Sequence, residues 1–386
     1  MDNLAHSLVG LAAAKAGLER LSPGATAVCL LAANAPDSDI VVLLVTDRWT
    51  FLHYHRHITH SIVGTLTLAL SLPLIFWLVD RLIARRRSRP PVVRLRGLIL
   101  ASVIVSATHP FLDWTNNYGV RLLLPWSSQW FYGDLVFIAD PFIWLVLGGA
   151  VFLLSSKLKL QLALWFVLAT ILTYLVMRVT SQPGIENALL LRGIWVGFIT
   201  CFVIAFKLGA AERWGRKIAW AAFAVLISYW IGLAFIHAAA LREVRRAGLV
   251  LASQHGESVT DLAAMPTLAN PLHWQSVVET DQAAYRFEVF LPSAAPDLSG
   301  VTRYERADTA DTFESRFVVK AVRDRRAQIF LGFARFPVFQ VKGADCLSET
   351  IVQMADLRYT QPGSARGSFA LELPIECPTT TEMQSR

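Results

Sequence analysis

The chain has 386 residues, 54% of them apolar and only 17% charged, with a mean hydropathy of +0.45. A soluble globular domain carries about 25% charged residues, so an ordinary cytosolic enzyme is excluded. The net charge of +7 does not indicate nucleic acid as a partner, because the positive residues form short blocks between apolar runs and do not cover a polar surface.

A bilayer core is crossed by about 20 mostly apolar residues. Two early runs are short or broken: residues 4–18, and residues 25–45 with Asn34, Pro36, Asp37 and Asp39 inside them. Clear spans follow at 62–79, at 97–107 with a polar extension to Asp113, and at 135–154, 158–177, 193–208 and 218–241. Beyond them the charge density rises to that of a soluble domain, and strand-like pieces occur at 274–279, 285–291, 316–322, 338–342, 354–359 and 368–373. A helix is expected near 327–333, and 314–331 as a whole reads as helix or strand. The expected fold class is a polytopic α-helical membrane protein with a C-terminal soluble α+β domain. Its parts are a membrane domain at 1–241, a linker at 242–271 and the α+β domain at 272–386.

Cytoplasmic loops of membrane proteins are enriched in Lys and Arg. The block Arg81, Arg85, Arg86, Arg87, Arg89, Arg94 and Arg96 is therefore expected inside, together with Lys157, Lys159, Lys207, Arg213, Arg216 and Lys217. The opposite loops, around 46–57, 115–132 and 178–192, hold only Arg48, Arg56, Arg121, Arg178 and Arg192. The last span then runs outward. In a bacterial cell this means a multi-pass protein of the inner membrane with a periplasmic C-terminal domain. Cys346 and Cys377 fall in that domain, where a disulfide and two reduced thiols are both open readings.

Six of the nine histidines lie in the first 113 residues, beside carboxylates that are costly in a membrane segment. Asp2/His6 and His109/Asp113 are each spaced i,i+4, which places both groups on one helix face. Asp37 and Asp39 lie in NAPDSD, and His53, His55, His57 and His60 in HYHRHITHS. The Arg-based orientation, which used none of these residues, puts all of them toward the outer face, with Asp134 and Asp140 beginning the next inward span. Such His and Asp sets suit zinc, with manganese or iron as alternatives, and sites of this kind activate water and stabilise charge on phosphoryl or carbonyl oxygens.

These residues resemble the YdjM/YbcI-like membrane-bound metal-dependent hydrolases. MDNLAHSLVG is similar to that family's MDxxTHxxxG, PDSD to PDxD, HRHITHS to HRxxTHS, and HPFLD is followed by Asn116, Tyr118 and Gly119. Ala5 stands where Thr is usual. The resemblance implies metal ligands among His6, Asp37, Asp39, His60, His109 and Asp113, and catalytic roles for Asp39, His55 and Arg56. Asp2, Asp134 and Asp140 are expected to support the ligands. The order of His, Asp, His and HxxxD is also similar, more remotely, to that of zinc-dependent phospholipases C, which implies a phosphodiester substrate, such as a lipid headgroup entering from the outer leaflet. The expected function is thus a metal-dependent hydrolase at the periplasmic face, with membrane lipids as surroundings and a lipid or other phosphodiester as substrate. Transport of a metal ion or proton is the alternative, because intramembrane His and Asp also mark ion paths.

Overall fold

The computed structural model describes residues 1–182, 187–293, 298–306, 313–343, 350–364 and 369–376. Two compact units divide the chain. The first comprises Met1–Ser38, Arg56–Ala234 and Leu268–Asn270, and the second comprises Asp39–His55, Phe235–Thr267 and Pro271–Arg386.

The elements of the helical part are α1 (Asn3–Ala16), α2 (Ala25–Asn34), α3 (Arg48–Tyr54), α4 (Ile62–Arg86), α5 (Leu95–Trp114), α6 (Pro141–Ser155), α7 (Lys159–Val179), α8 (Ala188–Lys207), α9 (Ala210–Trp214) and α10 (Lys217–His255). Lipid offers no hydrogen bonds to a backbone, so apolar runs of this length must satisfy their amides internally as helices. Among the described residues, six helical stretches are long and apolar enough to cross a membrane: Ala25–Leu44, Ile62–Arg86, Leu95–Trp114, Lys159–Val179, Ala188–Lys207 and Lys217–His255. The expected class, a polytopic helical membrane protein with a C-terminal α+β domain, is the class observed.

Within the first unit, small residues bring α1, α2 and α5 close together. Ala13, Ala14, Cys29, Ala32, Ala33, Ala101 and Val105 are all buried there, and a Cβ on Gly10 would stand 2.6 Å from the Cys29 carbonyl oxygen. Close backbone approach of this kind is how membrane helices gain dispersion energy without a hydrophobic drive between them. A second cluster joins α1, α6 and the first half of α10 through Leu8, Val9, Leu147, Val151 and Leu226. Asp80 of α4 closes the arginine-rich loop by accepting from the Arg89 guanidinium at 2.7 Å and from the Val92 and Val93 amides at 2.8 and 2.9 Å.

One expected span is shorter than its apolar run. Residues 135–140 are not helical, because Asp140 caps α6 by accepting from the Phe142 and Ile143 amides and Pro141 takes the first helical position. The remaining fifteen residues rise about 22 Å, less than a bilayer core.

In the second unit, β1 (Val259–Thr267), β2 (Asn270–Thr280), β3 (Ala283–Phe290) and β4 (Thr302–Glu305) form one sheet in that order. The sheet of β5 (Pro337–Lys342), β6 (Thr350–Asp356) and β7 (Ala370–Ile375) is antiparallel throughout. Helices α11 (Phe313–Ala321) and α12 (Arg325–Phe333) lie between β4 and β5 in sequence. Val244, Ala247 and Leu251, late in α10, pack on Trp274, Tyr285 and Phe287. The linker expected at 242–271 is therefore structured, since α10 runs to His255 and β1 starts at Val259. The strand expected at 316–322 is the helix α11, whose buried Phe317, Val318 and Ala321 follow helical spacing. Glu257 accepts from Thr280, Tyr285 and Arg303 at 2.7, 2.8 and 2.7 Å. Burial raises its pKa, but these donors outweigh burial and hold the carboxyl below its ordinary range. Helix α3 packs against α12, and the Arg325 guanidinium reaches the Thr50 hydroxyl at 3.3 Å. Cys346 and Cys377 lie outside the described residues.

Candidate metal centre

Four ends of helical segments bring the ionisable residues of the first unit together. Asp2 caps α1 through the Ala5 amide at 3.0 Å, and His6 sits in that helix's first turns. After α2 the chain tightens at Pro36 into a 3-10 segment, Ala35–Leu44, whose first turn carries Asp37. His60 closes a short 3-10 turn, Ile58–His60, that Ser61 joins to α4 by accepting from the Gly64 amide and donating to the Ile58 carbonyl. Residue 64 must be glycine, because a Cβ there would lie 1.8 Å from that carbonyl oxygen. His109 and Asp113 project one turn apart from the end of α5.

Asp37, His60, His109 and Asp113 each offer one ligand atom within 4.8 Å of all the others. His60 Nε2 is 3.2 Å from Asp37 Oδ1 and 3.3 Å from Asp113 Oδ2. His109 Nε2 is 3.6 Å from Asp37 Oδ1 and 3.4 Å from Asp113 Oδ2. Donors around a tetrahedral ion with bonds of about 2.0–2.1 Å stand about 3.3 Å apart, so these separations suit a small divalent ion.

The opposite atom of each ligand is held by a neighbour. His109 Nδ1 donates to the Ala33 carbonyl at 2.7 Å, which leaves Nε2 as the lone-pair side of the ring. His60 Nδ1 meets the Thr59 hydroxyl at 3.1 Å, and Asp37 Oδ2 accepts from Asn3 at 3.0 Å. Asp113 Oδ1 receives Arg56 Nη2 at 2.9 Å and the Met1 amino group, and lies 3.4 Å from His6 Nε2. His109 Nε2 and Asp113 Oδ2, both buried, face each other at 3.4 Å but make no well-aligned hydrogen bond among the described residues. Buried polar atoms without partners are expensive, and outer hydrogen bonds that orient inner ligands are the usual construction around a bound metal. The residues present therefore fit a metal ion.

Arg56 is buried and has a left-handed backbone, φ 54°. Besides Asp113 Oδ1, its guanidinium bonds the Gly119 carbonyl at 2.9 Å, Asn116 Oδ1 at 3.3 Å and the Asp113 carbonyl at 3.4 Å, and it lies over the Tyr118 ring. Its visible work is to fasten the end of α5 to the loop that follows. His6 stacks on His109 with ring centroids 3.9 Å apart but is not one of the four clustered ligands.

Other expected site residues are not among the four grouped side chains. Asp39 and His55 belong to the second unit, where they pair with each other at 3.3 Å. Asp2 is occupied in capping α1 and in accepting from the Trp144 indole at 3.1 Å, and Asp140 in capping α6 and accepting from Tyr229 at 2.8 Å. Asp134 is buried and has a left-handed backbone. Sequence reasoning did not single out Asn3, the Ala33 carbonyl or Asn116 as supports. A backbone carbonyl leaves no residue-type signal, whereas Asn3 and Asn116 each lie within three residues of a motif acid.

Fold and site together define a polytopic helical membrane protein with an Asp/His cluster able to hold a metal ion. Residues 1–185 match the model of the family described as YdjM inner membrane protein, the part of the chain that carries all the motifs above, and with the six apolar helices this supports a multi-pass protein of the inner membrane. The uncharacterized protein YfhP of Bacillus subtilis (strain 168) is 28% identical over 155 residues, which are 38% of this chain and 43% of that protein. The match thus spans less than half of that relative's length. No solved structure matches. These matches give no support to the remoter likeness to zinc-dependent phospholipases C.

Proposed function

We propose that the protein is a metal-dependent hydrolase whose site opens to the periplasm and whose substrate is a phosphodiester, with a phospholipid as the leading class. The observation that carries this reading is the convergence of Asp37, His60, His109 and Asp113 ligand atoms, each braced from behind. Zinc suits two imidazoles and two carboxylates at this spacing, and manganese or iron accept the same donors. When bound, such an ion lowers the pKa of water and stabilises charge building on a phosphoryl oxygen. The chain's own contribution is orientation. Ala33 fixes the tautomer of His109, Arg56 holds Asp113 Oδ1 so that Oδ2 faces the histidines, and Asn3 turns Asp37.

His60 and Asp113 sit at segment ends, His109 one turn before the end of α5, and Asp37 where α2 gives way to a 3-10 segment inside the stretch Ala25–Leu44. A site gathered at helix ends and one helix break favours hydrolysis at one face over a transport path. Packing of α3 on α12 supports placing residues 48–54 and α12 on one side of the membrane. The Lys and Arg distribution supports the periplasm as that side.

The test is full-length protein in detergent, loaded with Zn2+ and given bis(p-nitrophenyl) phosphate and micellar phospholipids, with Asp113→Asn as control. Metal-dependent release of a phosphomonoester that the variant lacks is the expected result. Stoichiometric metal with no turnover of any phosphodiester would overturn the substrate class.

A further inference from the structure

Among the described residues, a cavity of about 830 Å³ lies between α6, α7 and α8, and none of Asp37, His60, His109 and Asp113 lines it. Its walls are almost wholly apolar, with Trp144, Phe152, Trp165, Trp195, Phe202 and Phe206 among the residues that line it. The glycine pair Gly148–Gly149 forms part of its floor, and a Cβ on Gly149 would meet the Phe202 ring at 2.1 Å. Cavities of this size and composition take largely apolar ligands, and in a membrane-spanning bundle the abundant apolar ligand is an acyl chain.

One end of the cavity is basic. Lys207, in the last turn of α8, lines it, and Leu162 of the first turns of α7 and Phe152 near the end of α6 line that same end. Exposed Lys157, in the connection between α6 and α7, and exposed Lys159, the first residue of α7, lie between Phe152 and Leu162 in sequence, so the charge of this end is positive. Basic pockets between membrane helices take anionic headgroups, while the apolar walls take the chains.

We infer that this cavity binds a bilayer phospholipid of anionic headgroup, with acyl chain between α6, α7 and α8 and phosphate at Lys207. The site is separate from the metal centre and does not depend on any reaction there.

The test is native mass spectrometry of the delipidated full-length protein titrated with dioleoyl-phosphatidylglycerol or dioleoyl-phosphatidylcholine. The wild type should retain the phosphatidylglycerol in preference. Lys207→Gln should lower that preference about fivefold, the value of one lysine at a headgroup, and leave phosphatidylcholine binding unchanged. Lys207→Arg should preserve it. Ala169→Phe, which fills the cavity, should weaken both lipids. A Lys207→Gln protein with wild-type preference, or an Ala169→Phe protein that binds both lipids as the wild type does, would overturn the assignment. So would equal binding of glycerol 3-phosphate, because an anion site without chain burial is not this site.

Discussion

Arg56→Lys separates two roles that the sequence leaves joined. A guanidinium in this motif suits a phosphate, yet in the folded chain its donors are directed at Asp113, Asn116 and Gly119. Lysine keeps the charge but loses the planar fork whose two nitrogens reach Asp113 Oδ1 and the Gly119 carbonyl separately, so at least one of these bonds is weakened. The two bonds of 2.9 Å are the strong ones, and loss of one charge-assisted bond in a buried setting costs about 1.5–3 kcal/mol. Because Asp113 Oδ2 faces His60 and His109 only while Oδ1 is held, the substitution should also weaken metal binding about 10–100-fold, as the loss of an outer support does. Thermal unfolding in detergent and zinc competition against a calibrated chelator read the two effects separately. A variant with wild-type unfolding temperature and wild-type zinc affinity but lost turnover would refute the clamp and return Arg56 to substrate binding.

His60→Ala should remove most bound metal and His57→Ala little, because His60 is one of the four clustered ligands and His57 is not; metal analysis of both variants checks this. Reporter fusions after Arg89 and after Gly256 should give cytoplasmic and periplasmic signals respectively, and a cytoplasmic signal at the second would defeat the proposed orientation. The carboxyl of Glu257 is held below its ordinary range in the folded state, so its contribution to stability is present above its unfolded pKa of about 4.3 and is lost as pH falls through the lower folded value. Glu257→Gln should therefore flatten the acid side of the C-terminal domain's stability profile, followed by near-ultraviolet circular dichroism between pH 3 and 7.

The spans were legible because lipid leaves an apolar run of 20 residues no structure but a helix, and His109 and Asp113 because i,i+4 spacing fixes one face. Asp39 shares a motif with Asp37, but residues two apart on a 3-10 turn diverge, and proximity in sequence said nothing of the pairing with His55. Arg56 was legible as a site residue and not as a clamp, since its left-handed backbone sends the side chain where a spacing rule does not. In the C-terminal domain, α11 read equally well as a strand because a short amphipathic segment satisfies both periods in part.

The central claim is that Asp37, His60, His109 and Asp113 hold a metal ion, and counting metal in purified full-length protein tests it most directly. Inductively coupled plasma mass spectrometry of the wild type should find at least one tightly held divalent ion per chain. Asp37→Asn, His60→Ala, His109→Ala and Asp113→Asn should each lose it while remaining inserted in the membrane. A wild type that holds no ion after incubation with Zn2+, Mn2+ or Fe2+, or four inserted variants that hold as much as the wild type, would contradict the account.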